Sequence, residues 1–142
     1  MKISFLKLDP ELPTPHHAHE GDGGVDLYAR IDLRLEPGER HLIPTGVAVA
    51  IPVGYAALVV PRSGLAVKHG LGVVNSPGLV DSGYRGEVQV ILINHGSEAV
   101  EIGRGERIAQ LVVVPVAVQD WVEVEDLSDS GRGEGGFGST GR

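Results

Sequence analysis

The chain has 142 residues, no cysteine and a formal net charge of −7, with 12 Lys and Arg against 19 Asp and Glu. That length suits one domain, the absence of thiols excludes disulfides, thiolate metal sites and cysteine nucleophiles, and the acidic balance opposes binding to a nucleic-acid backbone. No apolar stretch approaches the roughly 20 residues of a membrane span, and Asp9, Pro10 and Glu11 arrive too early for a secretion signal, so a cytoplasmic protein without membrane contact is expected.

From the N-terminus, the segment holding His16, His17 and His19 also holds Pro13, Pro15, Gly21 and Asp22 and reads as loop, without the spacing of metal ligands. Gly23-Gly24-Val25-Asp26-Leu27 reads as a strand, and a charge at Asp26 inside it calls for a partner or a metal. Turn signals follow at Glu36-Pro37-Gly38 and Pro52-Val53-Gly54, and between them Val47, Val49 and Ile51 alternate with small residues as a strand would. Ala56-Ala57-Leu58-Val59-Val60 is apolar at both alternating sets of positions. Such a run is sandwiched either within one domain or against another subunit.

Pro61-Arg62-Ser63-Gly64-Leu65-Ala66 leads into the only helical candidate, residues 64–69, long enough for a turn or two. Ser63 fits an ordinary N-cap, or with Arg62 a place for an anion. Asn75-Ser76-Pro77-Gly78 is a turn, and Asp81–Glu87 is a hairpin-like turn that gathers two carboxylates, Tyr84 and Arg85. Val88, Val90 and Leu92 then share one side of a strand. After turns at residues 94–97 and 103–105, Gln110 enters a strand as an isolated polar group, and Leu111–Val114 is again apolar on both faces. Val122 and Val124 alternate with Glu123 and Glu125, which predicts one more strand.

Short strands punctuated by turns predict an all-β, distorted jelly-roll or double-sheet barrel. The core domain is expected over residues 1–127 and a Gly-rich arm over residues 128–142. Nothing in that arm can enter a core, so it is either a frayed terminus or an arm that orders on binding. Gly133, Gly135 and Gly138 match the dinucleotide fingerprint in form only, because no strand and helix flank them. The arm offers Arg132, glycine N–H groups and the hydroxyls of Ser139 and Thr140 to a phosphate, and Phe137 to a planar ring.

Taken together, five segments resemble the ordered motifs of the trimeric dUTP pyrophosphatases, the dUTPases: residues 24–29, 61–66, 78–87, 105–111 and 132–141. The resemblance implies a homotrimer with an exchanged C-terminal arm, whose active sites are each assembled from several subunits. It implies hydrolysis of dUTP to dUMP and pyrophosphate with Mg²⁺, Asp81 orienting the water that attacks the α phosphorus and Asp26 holding the water shell of the metal. Arg62, Ser63, Gly64 and Gln110 would then contact phosphates, and Arg132, Gly138, Ser139 and Thr140 the γ end. Asn75 and the hairpin backbone from Gly78 to Tyr84, Val80 included, would read uracil, Tyr84 would lie against the deoxyribose, and Phe137 would close over the base. The alternatives carrying the same fold are a dCTP deaminase, a bifunctional deaminase and dUTPase, and a jelly-roll module without catalysis.

Overall fold

A computed structural model describes residues 1–136. The strands are β1 (Ser4–Lys7), β2 (Gly24–Tyr28), β3 (Leu33–Leu35), β4 (Arg40–Ala50), β5 (Tyr55–Pro61), β6 (Leu71–Val73), β7 (Gly78–Val80), β8 (Glu87–Asn94), β9 (Val100–Ile102) and β10 (Arg107–Pro115), with one helix, α1 (Ser63–His69). They form one sheet of order β1-β4-β8-β6, a second of order β2-β10-β5-β7, and a small ribbon of β3 and β9. The all-β two-sheet jelly roll expected from the turn cadence is the fold observed.

Period-two alternation puts one set of side chains from each sheet into a common core. Val47 and Val49 of β4 and Val88, Val90 and Leu92 of β8 come from the first sheet, and Leu27, Ala57, Val59 and Leu111 from the second. Each large aliphatic side chain buried this way contributes about 1.5–3 kcal/mol. The two runs apolar on both faces are neighbouring strands, with Val59 paired to Leu111 and Leu58 to Val112. Their inner residues Ala57, Val59 and Leu111 are buried, whereas the outer row of Leu58, Val60, Val112 and Val114 remains partly exposed.

Two local expectations change. Arg62, in extended conformation, is the N-cap of α1, with no side-chain hydrogen bond closing the cap, so Ser63 is the first helical residue instead. The strand expected at Val122 and Val124 does not form: no strand follows Pro115 among the described residues, and Val122 and Val124 are exposed. Alternation selects which face a side chain would take, but a strand also needs a ladder partner. Trp121 in the same segment is 90% exposed.

A charge network braces the N-terminal segment against both sheets. Arg104 donates to Asp9 from Nη1 at 2.6 Å and from Nη2 at 2.9 Å, and Arg30 Nε lies 3.2 Å from the same carboxylate. The Arg104 hydrogen bond is the main reason that the Asp9 pKa falls to about 2, against partial desolvation and with help from the Glu11 N–H and Arg30. Beside it, β4 bulges between Pro44 and Ala48, and Gly46 takes φ +72 there, with a Cβ site only 2.8 Å from Leu12 Cδ1 and 2.9 Å from Asp9 Cβ. Glycine alone adopts this backbone without strain and fits the space. At the other end, fully buried Asn94 donates to the carbonyls of Leu35 at 3.0 Å and Glu98 at 2.8 Å. No helix among the described residues is long and apolar enough to cross a membrane.

Candidate active site

Asp26 stands in β2 opposite Gln110 of β10, which in turn stands opposite Val60 of β5. Directly opposed residues share a sheet face, so Asp26 and Gln110 project together, and Arg62 follows two residues after Val60. Asp26 is 6% exposed. Its Oδ2 accepts from Arg107 Nη1 at 3.3 Å, while Oδ1 lies 3.2 Å from Arg62 Nε. That second approach is not aligned as a hydrogen bond, and Oδ1 is buried without a donor among the described residues. Arg62 also donates from Nη1 to the Arg107 carbonyl at 3.3 Å.

Asp26, Arg62 and Arg107 line an open depression of about 680 Å³ together with Leu65, His69 and Glu98. The guanidiniums of Arg62 and Arg107 flank Asp26 in the fork geometry that suits phosphate oxygens, in a lining that also carries Glu98, Glu101 and Glu106. Ser63 and Gly64 are exposed in the first turn of α1, next to Arg62. The free lone pairs of Asp26 Oδ1 fit a hydrated divalent cation, because Mg²⁺ keeps its waters and hydrogen-bonds through them. No group of three or more His, Asp or Glu side chains gathers among the described residues. The donor set therefore fits a cation that brings most of its ligands with it as water and phosphate.

A second group sits at the other motif-bearing turn. Asp81 follows β7 and is exposed, and Tyr84 N donates to its carbonyl at 3.1 Å, closing a turn. The Tyr84 hydroxyl donates to the Glu87 carbonyl at 3.0 Å. The ring lies over Gly86, where any Cβ would collide with the Tyr84 hydroxyl. Asp81, Tyr84, Leu42, Leu79 and Val80 line a depression of about 330 Å³. The flanking strands are not a hairpin pair: β7 adds to β5 in one sheet and β8 lies between β4 and β6 in the other, so residues 81–86 cross the sandwich edge. As an edge strand, β7 leaves a row of backbone N–H and C=O groups outside the ladder, available to the polar edge of a planar ligand. Gly78 and Val80 are buried, and the Asn75 side chain packs 3.0 Å from the Cβ position of Gly78.

The chain therefore brings Asp26 and Gln110 onto one sheet face and Arg62 beside Asp26, although Gln110 does not line their depression, and it brings Asp81, Tyr84 and Val80 together elsewhere. The two depressions have no lining residue in common. Arg132 lines neither, and its Nε donates within its own turn to the Gly135 carbonyl at 2.6 Å. Phe137, Gly138, Ser139 and Thr140 lie outside the described residues. Sequence reasoning gave Arg107 no role. Its one signal was a cation three residues before Gln110, and only the pairing of β10 with β2 turns that into an ion pair with Asp26.

The family model described as dUTPase matches residues 11–141. The chain belongs to the dUTPase family. Among dUTPase relatives, the deoxyuridine 5'-triphosphate nucleotidohydrolase of Thermobifida fusca is 55% identical over 142 residues, covering 99% of this chain and 79% of its own. That of Mycolicibacterium gilvum is 55% identical over 145 residues, covering 98% and 94%. Among solved dUTPases, that of Staphylococcus bacteriophage 80alpha with dUpNHpp superposes with a TM-score of 0.91 at 32% identity, over 99% of each chain. The dUTPase of phage phi11 of S. aureus, solved for the coordination of a structural Mg(II) ion, has a TM-score of 0.81 at 28% identity over 89% of this chain and 98% of its own.

Proposed function

We propose that this dUTPase family member hydrolyses dUTP to dUMP and pyrophosphate at a site shared between subunits, with Asp81 as the base. One observation carries the reading: the carboxylate beside a base-reading edge strand and the paired arginines beside Asp26 occupy separate depressions of one chain. Each is half of a nucleotide site. Symmetric association supplies the missing half from another copy, and the apolar outer row of Leu58, Val60, Val112 and Val114 gives such a copy a surface to cover. In the resulting homotrimer Asp81, Tyr84, Asn75 and the Gly78–Val80 backbone come from one subunit, and Asp26, Arg62, Ser63, Gly64 and Gln110 from a second. The arm over residues 128–142 comes from a third, bringing Arg132, Phe137, Gly138, Ser139 and Thr140.

In that site a water held by Asp81 gives its proton to the carboxylate as its oxygen bonds to the α phosphorus. The bond from that phosphorus to the bridging oxygen breaks, and pyrophosphate leaves with the electron pair. Arg62 and Gln110 hold phosphate oxygens in line for this attack and offset charge where it develops. Bound Mg²⁺ would neutralise the triphosphate, with Asp26 accepting from its water shell through the otherwise unpartnered Oδ1. The Tyr84 ring against the sugar leaves no room for a 2'-hydroxyl, and edge-strand hydrogen bonds select uracil over cytosine. The phage dUTPase solved with dUpNHpp supports the ligand, and the structural Mg(II) ion of the phage phi11 dUTPase supports magnesium use in general. We place the enzyme in the cytoplasm, acting on the deoxynucleotide pool to keep uracil out of DNA and to supply dUMP for dTMP synthesis.

The deciding experiment measures pyrophosphate release from dUTP, UTP, dTTP and dCTP at matched Mg²⁺, with ammonia followed in the dCTP reaction. Stoichiometric pyrophosphate from dUTP with little from the others is expected. Ammonia from dCTP would sink the reading in favour of a deaminase.

A further inference from the structure

Glu87 lines the same depression as Asp81 and Tyr84 and is also joined to the motif-bearing turn through its backbone carbonyl. It is the first residue of β8, opposite Ala48 just past the bulge in β4. The bulge turns the Gly46 N–H toward the Glu87 carboxylate, which accepts it at 2.7 Å. Arg30 Nη1 reaches both oxygens of that carboxylate, at 3.3 and 3.4 Å, and is itself held by Asp9 and by the Leu8 carbonyl at 3.3 Å. With 17% side-chain exposure, Glu87 is thus fixed from two directions. Its carbonyl is the acceptor for the Tyr84 hydroxyl.

The Tyr84 ring has no core to hold it, since it is 45% exposed. It rests on the bare Cα of Gly86 and on that single hydrogen bond. We propose that Glu87, clamped by Arg30 and the Gly46 N–H, is a positioning residue that fixes the Tyr84 ring and so sets the enzyme's discrimination against a 2'-hydroxyl. This rests on the reading of Tyr84 as the ring that faces the sugar. When the clamp is released the start of β8 shifts, the carbonyl moves from under the hydroxyl, and the ring gains freedom to tilt away from the sugar. Room for a ribose then opens. An ion pair serving stability alone would lower activity on deoxyribo- and ribonucleotide together, whereas a positioning role changes their ratio.

The test is steady-state kinetics of the full-length protein on dUTP and UTP, comparing kcat/KM ratios for Glu87→Ala, Glu87→Gln, Tyr84→Phe and Tyr84→Ala, with thermal melts as the folding control. In Glu87→Ala the dUTP-over-UTP ratio is expected to fall about tenfold, the lower end of what a steric pocket contact discriminates. The dUTP KM rises more than kcat falls. Glu87→Gln keeps an oxygen for the Gly46 N–H but loses the ion pair with Arg30, and lowers the ratio less than the alanine change though by more than about twofold. Tyr84→Phe added to Glu87→Ala lowers it no further, because both remove the same seat. A ratio within about twofold of the native one in folded Glu87→Ala overturns the proposal, as does the same result in Glu87→Gln if the alanine variant does not fold. An unchanged ratio in Tyr84→Ala instead removes the sugar-facing reading of Tyr84 itself, which separates the two failures.

Discussion

Asp26 Oδ1 lies 3.2 Å from Arg62 Nε without accepting a hydrogen bond from it. A buried carboxylate oxygen left free beside a guanidinium costs desolvation without full compensation. That expense makes sense when the oxygen is reserved for a donor arriving with the substrate. Asp26→Asn is therefore expected to raise the Mg²⁺ concentration giving half-maximal rate and to lower kcat/KM for dUTP by about 10–100-fold, the usual range for a residue that orients a metal's surroundings. A Mg²⁺ titration of activity checks this, and an unaltered half-saturation point would separate Asp26 from the metal.

Among the described residues Asp81 makes no side-chain hydrogen bond or ion pair, and it is exposed at the end of an edge strand. Asp81→Asn should lower kcat by about 100- to 10,000-fold, the span associated with loss of a positioned base. Binding of a non-hydrolysable dUTP analogue should stay within a few-fold. Undiminished turnover in this variant would refute the assignment of the base.

The separation of the two depressions makes a prediction about mixtures. Asp81→Asn and Arg62→Ala proteins, each nearly inactive alone, should regain activity when unfolded together and reassembled. Random trimers place an intact Asp81 and an intact Arg62 from different subunits at about a quarter of the sites. Activity near that fraction of the native level supports a shared site, and none at all points to a site built within one chain.

The Asp9–Arg104 pair gives stability a pH dependence. The folded-state pKa of Asp9 is about 2, against an ordinary value of 3.8. A depressed carboxylate pKa adds stability that is fully present above the ordinary value and is lost as pH falls from there toward the folded value. Chemical denaturation followed from pH 6 down to pH 2 should show the native protein losing stability below about pH 4 more steeply than Asp9→Asn. Parallel curves for the two proteins would deny the pair that role.

Gly46 should tolerate no side chain. Gly46→Ala imposes a left-handed φ on a residue with a Cβ and drives that atom to within 2.8 Å of Leu12 and 2.9 Å of Asp9. A loss of about 1–3 kcal/mol is expected from the backbone strain. Thermal and denaturant melts measure it, and a melting temperature equal to the native one would contradict the geometry.

Much of this molecule is readable along the chain. Alternation at Val47, Val49 and Ile51 and at Val88, Val90 and Leu92 identifies buried faces because a strand's period of two is set by its own backbone. The same local logic marks the turns at residues 36–38, 52–54 and 103–105, the short helix after Pro61, and the need for a partner at Asp26. It fails at Val122 and Val124, where the alternation is present but no strand among the described residues pairs with it.

The identity of Asp26's partners, the clamp on Glu87 and the split of the site into two depressions are of another kind. Arg107 is 81 residues from Asp26 in sequence, and Arg30 is 57 from Glu87. Which residues meet over such separations depends on strand order and register, which emerge from packing the whole core at once and from a bulge whose two extra residues redirect the Gly46 N–H. Composition and periodicity carry the chemistry of each segment to the page, since they are properties of near neighbours. Asp81 and Asp26 end in separate depressions because β7 and β2 are opposite edges of one sheet with β5 and β10 between them, and no local pattern states that.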